Sequence, residues 1–585
     1  LSEIADIDAG RLLDIVEEAE AARVIVPEER DGDVHYSFAH ELIRQTLLAS
    51  LSLLRRQRLH LAVANALERI DLTARELRPS EIAHHLLQGG AAAETSRTLD
   101  YLARAADRAM ESAAFEEALR ALDDALTIVE DDVARVELLE RKGWAVRAMG
   151  RFEECLAIWA EVIDRYVTLD RRGSAIALLR EVAYQLLWLG RFDEVLAANQ
   201  RALDLADPDD PVRAYFIGGI GALVGVGGLK DLAEERCLEA ATIADASGDA
   251  RLRGWVEWCR AVAMYSNSQI REAAHVGRRS MDLVEPTGDV WTWCDSAGWT
   301  CLALVAGGRV SEGVDLAVRA NAIALRIGHV GAQILLGRAS AVGRMMQTVD
   351  FAENHAAVHY DVELCSLISS PWISQSFVWL GSLSSLLGHL DEGLAHIEEG
   401  IKREPISAYS GVGLGFKILN RAIGGASSEV KELLEEAAPR FYSESMTGIG
   451  SALLSVCAAQ AAAMIDALEW SERLYEPIRR ASETAATAWF DAASVQRVAG
   501  MTVAALGRFD EAEAHHQAAM REIDELPNKL DAPRIRYWYA KMLATRSRGD
   551  DRTRARELLD AAVREFHEYG IVPDRDAASE LLRSL

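Results

Sequence analysis

Cysteine is scarce: the 585 residues hold seven, scattered and without a CxxC pair, so the sequence offers neither a disulfide framework nor a thiolate zinc site. A reducing cytosol suits that usage best. Basic residues are outnumbered, 63 Lys and Arg against 91 Asp and Glu, and the net charge of −28 disfavours sustained contact with phosphate backbones. Direct nucleic-acid binding is not expected. No run of about 18 apolar residues escapes polar interruption, and no basic segment followed by an apolar stretch opens the chain. Neither a membrane span nor an export signal is expected. The motifs of chemistry are also missing: there is no GxxxxGK[ST] phosphate loop, no HExxH, no GxSxG, and no marked Cys/His or Ser/His pair. The segment is expected to be non-catalytic, with no metal and no cofactor of its own.

What the sequence does hold is repetition. LGRFDE occupies 189–194 and returns at 506–511, and MGRFEE stands at 149–154. Aligned on the aromatic or apolar residue of that phrase, the series runs through Phe115, Phe152, Phe192, Leu229, Ile270, Val310, Phe351, Leu390, the weaker Val430 and Trp470, and Phe509, in steps near 40 residues. SGD at 247–249, TGD at 287–289 and IGH at 327–329 mark the same period independently. Each unit reads as an apolar-periodic helix such as 174–189, a Gly-Arg or Gly-His turn, and a second amphipathic helix opened by acids such as Asp193 and Glu194. Small residues follow the register residue at fixed offsets: Ala118 and Ala125, Gly393 and Gly400, Ala512 and Ala519. This pattern resembles the tetratricopeptide (TPR) repeat, with a unit longer than the usual one and its proline mostly absent. The fold class expected is all-α: a TPR-like right-handed α-solenoid of about a dozen helix pairs, preceded by a small winged-helix-like α+β module.

That module covers 1–73. A helical stretch at 9–23 precedes RVIVP (23–27) and VHYSF (34–38), which flank EERDGD, and the Asp31-Gly32 step favours a hairpin. The solenoid divides into 74–403, an irregular region 404–450 where Pro405, Gly411, Gly413 and Gly415 interrupt the pattern, and 451–585, which ends in a capping helix. The stretch HYSFAHELIRQTLLASLSLLRRQRLHLAVANALE (35–68), with EIAHHLLQGG after it, resembles the region that follows the nucleotide-binding domain in STAND-type bacterial ATPases, such as LuxR-type large regulators and adenylate cyclases with an ATPase and a TPR array. The matching residues are Phe38, His40, Leu42, Arg44, Arg56, His60, Glu68, His84 and His85. The resemblance implies an adaptor and sensor that restrain an upstream ATPase until a signal binds. ATP and Mg would then belong to that upstream domain, which the adaptor would touch intramolecularly. The chain starts at Leu1 in helical pattern and is expected to be a piece of a longer protein. A free-standing TPR scaffold or peptide receptor is the alternative.

Other features carry blander readings. GGIGALVGVGG (218–228) fails the dinucleotide spacing at Val224 and reads as tight helix packing. His355 and His359, one helical turn apart with Asp361 nearby, lack a third ligand and read as a solvated face. Arg55, Arg56 and Arg58 are expected to pair with local acids, and Arg546, Arg548, Arg552, Arg554 and Arg556 to form a solvated helix pair. Trp258, Trp299 and Trp379 lie eleven or twelve residues before their unit's turn residue, on first helices. They are the candidate aromatic strip of a groove that takes a protein partner or a small effector.

Overall fold

The computed structural model describes residues 4, 7–30, 33–74 and 78–585 and contains 29 α-helices among them. The chain divides into two compact units, 1–175 and 176–585. In the first, the helix Ala9–Ala21 leads into an antiparallel hairpin of β1 (Ile25–Arg30) and β2 (Asp33–Phe38). The ladder runs from Ile25 paired with Phe38 to Arg30 paired with Asp33. Glu28, Glu29 and Arg30, expected in the connecting loop, are therefore strand, and the expected turn residues Asp31 and Gly32 lie outside the described residues. Pro27, which has no N–H, is tolerated because each strand of a two-stranded ribbon keeps one free edge. The helices Glu41–Ser50 and Leu53–Ala74 follow, and Leu53–Ala74 packs on Pro79–Gly89 around Ala64, Ile82 and Leu86. Glu68 accepts from Arg97 Nη2 and from the Tyr101 hydroxyl, both at 2.7 Å, joining that helix to Thr95–Glu111.

From Thr95 to Tyr569 the chain forms twelve helix pairs whose first helices start 37 to 46 residues apart, the TPR-like α-solenoid expected from the repeat. The repeated phrase is the turn inside each pair. Gly150, Gly190, Gly308, Gly388 and Gly507 take positive φ, and the next helix starts two residues later with acids in its first turn, as at Phe192, Asp193 and Glu194. The turn arginine bonds the glutamate three residues on, as Arg191 does with Glu194 at 2.6 Å. Where glycine is absent, Ala113, Ser268, Val349 and Asp466 hold the same left-handed conformation. That residue sets the register, and it corrects three alignments. The helices begin at Lys230, Ser427 and Leu468, after Gly228, Gly425 and Asp466, and not at the phrase positions assigned to Leu229, Val430 and Trp470. The second marker is the turn between pairs: Gly248, Gly288 and Gly328 are left-handed, and Asp249, Asp289 and His329 cap the following helix through their side chains.

Within unit 176–585 the two helices of a pair differ in burial. Val290–Ala306 buries 13 of its 17 residues, while its partner Val310–Arg326 buries seven. First helices form the inner layer because they are apolar around most of their circumference. Small residues set the spacing: a Cβ on Gly221 would meet Cys237 Sγ at 2.6 Å and one on Gly225 would meet Ala263 Cα at 2.7 Å, so the glycine-rich stretch is indeed close helix packing. Gly400 approaches the Ser374 carbonyl just as tightly, a Cβ there lying 2.7 Å away.

The inner layer is covered by the chain itself. The turns inside pairs at Gly190, Gly228, Ser268, Gly308 and Val349 each meet a loop about 180 residues further on. Ala408 N–H donates to the Val226 carbonyl (2.6 Å), Ser268 Oγ donates to the Thr447 carbonyl (2.9 Å), and Ala486 N–H donates to the Ala306 carbonyl (2.9 Å). Lys529 N–H donates to the Met346 carbonyl at 2.7 Å. At the start of the series Pro371 lies against Gly190 and Trp372 against Phe192. With about 40 residues per pair, one coil takes about four and a half pairs, and successive coils touch. The interruptions read at 404–450 belong to this arrangement. Glu404 accepts from the Gly411 and Gly413 amides at 2.9 and 3.3 Å, shaping the loop that delivers Ala408 and Tyr409 to the preceding coil. The C-terminal arginines are only partly solvated, which corrects the expectation for them: Arg546, 8% exposed, bonds Asp551 and Glu513, and Arg554 reaches Glu513, so together they tie three helices.

Glycine substitutions separate the local turn from the coil contact. Gly507→Ala meets nothing within 4 Å and is expected to cost about 1 kcal/mol for its positive φ alone. Gly190→Ala would place a Cβ 2.4 Å from Pro371 Cγ and is expected to cost about 2 kcal/mol more. Urea unfolding of the two variants checks this; equal losses would contradict the coil contact.

Candidate functional site

The inner layer of unit 176–585 does not fill completely. Between first helices of one coil and loops of the next lies a cavity of about 920 Å³ of empty space, mouth included, of which about 70 Å³ is open to the centre of a water molecule. Eight of its nineteen lining residues are aromatic and most of the rest are aliphatic, so its wall is almost wholly apolar. The helix Ala250–Ser266 supplies Trp258, Val262 and Tyr265; Val290–Ala306 supplies Trp299; Val330–Thr348 supplies Arg338. The next coil contributes Trp372, Tyr409, Trp489 and Phe490 from loops or helix starts.

Two of the three tryptophans read from the sequence are therefore lining residues. Trp258 is 3% exposed and Trp299 half-buried. Trp379 sits behind the wall, its ring stacked on Phe490 at 5.6 Å. The three form no open strip, because the loops that end at Tyr409 and Phe490 cover the face they share. Those covering residues were missed, since no sequence period reveals a contact 180 residues away.

Arg338 is the charged residue of the wall and is itself buried. Nε donates to both Asp361 oxygens (3.0 and 3.1 Å), Nη2 to Asp361 Oδ2 (2.9 Å) and the Trp372 carbonyl (3.0 Å), and Nη1 to Gln375 Oε1 (2.9 Å). The Ser376 hydroxyl completes the set, donating to Asp361 at 2.6 Å. Burial opposes the charge on Arg338, but the adjoining Asp361 carboxylate overrides it and holds the guanidinium protonated. Burial also pushes the Tyr265 and Tyr409 hydroxyls up, so both stay neutral. One signal was legible: Arg338 stands at the middle of the mostly apolar run VGAQILLGRASAVGRMM, 330–346, whose other charge, Arg344, lies near its end. Asp361 had been noticed only beside His355 and His359. Those two rings lie 4.5 Å apart on an exposed face, and Asp361 turns inward to Arg338 instead.

The remaining polar clusters are structural links. Tyr184 donates to Asp295 (3.0 Å), His329 Nε2 donates to Asp295 (3.1 Å), and His329 Nδ1 accepts the Ala332 amide (3.2 Å), leaving neither ring nitrogen free for proton transfer. All seven cysteines are buried and unpaired, and burial pushes the thiols of Cys237, Cys294 and Cys365 up to about 12, far from a reactive thiolate. Among the residues that carry the resemblance to STAND ATPases, His60 shares a 2.8 Å contact with His85 through their Nδ1 atoms, and Arg44 pairs with Glu41. Phe38, His40, Leu42 and Arg56 are exposed. Arg55, Arg56 and Arg58 form no ion pair among the described residues, contrary to expectation, because no acid of the Leu53–Ala74 helix stands a turn away on their face. No helix of the described residues is long and apolar enough to cross a membrane.

The sequence matches no protein-family profile and no curated protein. Among solved structures, a Rap protein complexed with competence and sporulation factor is similar over 70% of this chain and 97% of its own, with 9% identity and a TM-score of 0.41. The Cut9–Hcn1 hetero-tetramer of APC/C is similar over 83% of this chain and 96% of its own (12% identity, TM-score 0.35). A STAND protein with a tetratricopeptide repeat sensor from Pyrococcus horikoshii is similar over 75% and 61% (13% identity, TM-score 0.31). At these scores the fold assignment rests on the helix pairs themselves.

Removing one member of a buried ion pair is costly, while replacing both by apolar groups is not. Arg338→Met is expected to destabilise the chain by about 3 to 5 kcal/mol, and adding Asp361→Leu to restore most of that loss. Thermal and urea unfolding of the single and double variants tests it; a double variant no better than the single would contradict the pairing.

Proposed function

We propose that this chain is the regulatory part of a STAND-type signalling protein, in which a winged-helix-like adaptor docks on a nucleotide-binding domain and the TPR-like array receives an effector or partner protein. The observation that carries the reading is where apolar surface is left uncovered. Leu13, Val34, Leu42 and Leu54 are 59%, 62%, 74% and 70% exposed, and the helices Ala9–Ala21 and Glu41–Ser50 bury no residue. Surface of that kind calls for a partner. It coincides with the stretch whose residues Phe38, Leu42 and Arg56 resemble the adaptor of STAND ATPases, which supports an intramolecular occupant. The array contributes a binding role: aromatic residues of its inner helices surround a cavity, and an effector that prefers one arrangement of the coils shifts their population. The chain itself is read as non-catalytic, and whether the output is transcriptional or a cyclase depends on the parent.

The parent protein decides the matter. Leu42→Ser combined with Leu54→Ser is expected to raise its basal nucleotide hydrolysis several-fold while the thermal midpoint of the array stays unchanged. Unaltered hydrolysis, or a parent without a nucleotide-binding domain, contradicts the reading and favours a free-standing TPR scaffold.

A further inference from the structure

We propose that the contact between His60 and His85 is a proton-operated latch, closed near neutral pH and opened by acid, that sets how firmly the start of the helix Leu53–Ala74 is held on Pro79–Gly89. This goes beyond the reading above and does not depend on it.

The geometry limits how many protons the contact can hold. His60 Nδ1 and His85 Nδ1 lie 2.8 Å apart, with ring centroids at 5.0 Å, so one nitrogen must carry hydrogen and the other must accept. Two neutral rings meet that demand, and so does a pair holding one extra proton, because the neutral partner still accepts. A pair holding two extra protons cannot. Both Nδ1 atoms then donate, and two like charges face each other at hydrogen-bond distance. The hydrogen bond is therefore lost with the second proton and not with the first.

The surroundings make that second proton disruptive. Partial burial, and after it nearby positive charge, holds both rings below the ordinary histidine value of 6.5, so the folded form favours them neutral. For His60 the charges are those of His84 and of Arg56, one turn before it. For His85 they are those of His60 and His84, opposed by Glu81, one turn before it and 3.8 Å from Arg78. Glu68, the next acid along the His60 helix, is engaged by Arg97 and Tyr101. The first proton thus goes to His85 beside Glu81, and the second to His60 beside Arg56. A histidine held low in the folded form contributes stability that is complete above 6.5 and is lost as pH falls below it. The exposed His84 ring stands 6.2 Å from His60 and 5.4 Å from His85, yet the three rings make no metal site: no group of three donors that could hold an ion exists among the described residues.

The position gives opening a consequence. On one side of the latch lies the apolar part of the helix contact, with Leu61, Ala64, Ile82 and Leu86; on the other, Gln57 closes against Gly90. None of residues 53–59 is buried, so little else holds the first two turns of that helix. Through those turns the hairpin and the helix Glu41–Ser50 connect to the array.

The test is hydrogen exchange of the full chain, read by mass spectrometry on peptides from 53–66 and 79–89 and expressed as protection relative to the intrinsic rates at pH 7.5 and 5.0. Protection is expected to fall about tenfold on acidification, the worth of one hydrogen bond, while peptides from Val290–Ala306 keep theirs. His60→Leu, which removes one partner, should give equal protection at the two pH values, and His84→Ala should retain the fall. If His60→Leu does not fold, His85→Leu decides. Unchanged protection in the unaltered chain, or a fall that survives His60→Leu, overturns the proposal. So does a fall that His84→Ala abolishes, which would make His84 the titrating group. An equal fall in Val290–Ala306 would mark general loosening by acid and overturns it as well.

Discussion

Much of the larger unit depends on one recurring contact: the turn inside a helix pair meeting a loop about 180 residues later. A helix-pair array has only nearest-neighbour contacts by default, and its inner face is open to solvent. Here the amides of Ala408, Ala486 and Lys529 close on the carbonyls of Val226, Ala306 and Met346, and the inner face becomes an interior. That explains a composition otherwise hard to account for. Helices such as Val290–Ala306 and Ile449–Met464 are apolar on nearly every side because each packs within its own coil and also faces a neighbouring one.

A buried charge needs an opposite partner, and the charged pairs of this interior follow that rule. Arg338 and Asp361 share three hydrogen bonds, and Arg497 with Asp531 forms a second buried pair further along, Nε to Oδ2 at 2.9 Å.

Local rules were legible in the sequence, and long-range ones were not. The Gly-Arg-Phe phrase predicted a left-handed turn and a helix start because each depends on only a few neighbouring residues, and Gly190 with Phe192 shows both. Small residues such as Ala118 and Gly400 predicted close helix approach for the same reason. The register slipped at Leu229, Val430 and Trp470, where the side-chain pattern was followed in place of the left-handed residue two positions before the helix. Of the site, Trp258 and Trp299 were found from their place on first helices, but Trp372, Tyr409 and Trp489 lie outside the period, in or beside irregular loops. What brings them together is the pitch of the coil, a sum of small rotations between pairs that no residue pattern encodes. Arg338 was visible as a charge at the middle of a mostly apolar run; its partner Asp361 was masked by the more conspicuous histidines beside it.

Native-state hydrogen exchange at Ala408, Ala486 and Lys529 tests the coil contact most directly. These amides lie in loops, and the coil contact predicts that they exchange as slowly as amides inside the flanking helices, far more slowly than those of the exposed 207–210 turn. Exchange at the rate of that turn would mean that the coils stand apart, and the closed interior, with its cavity, would be contradicted.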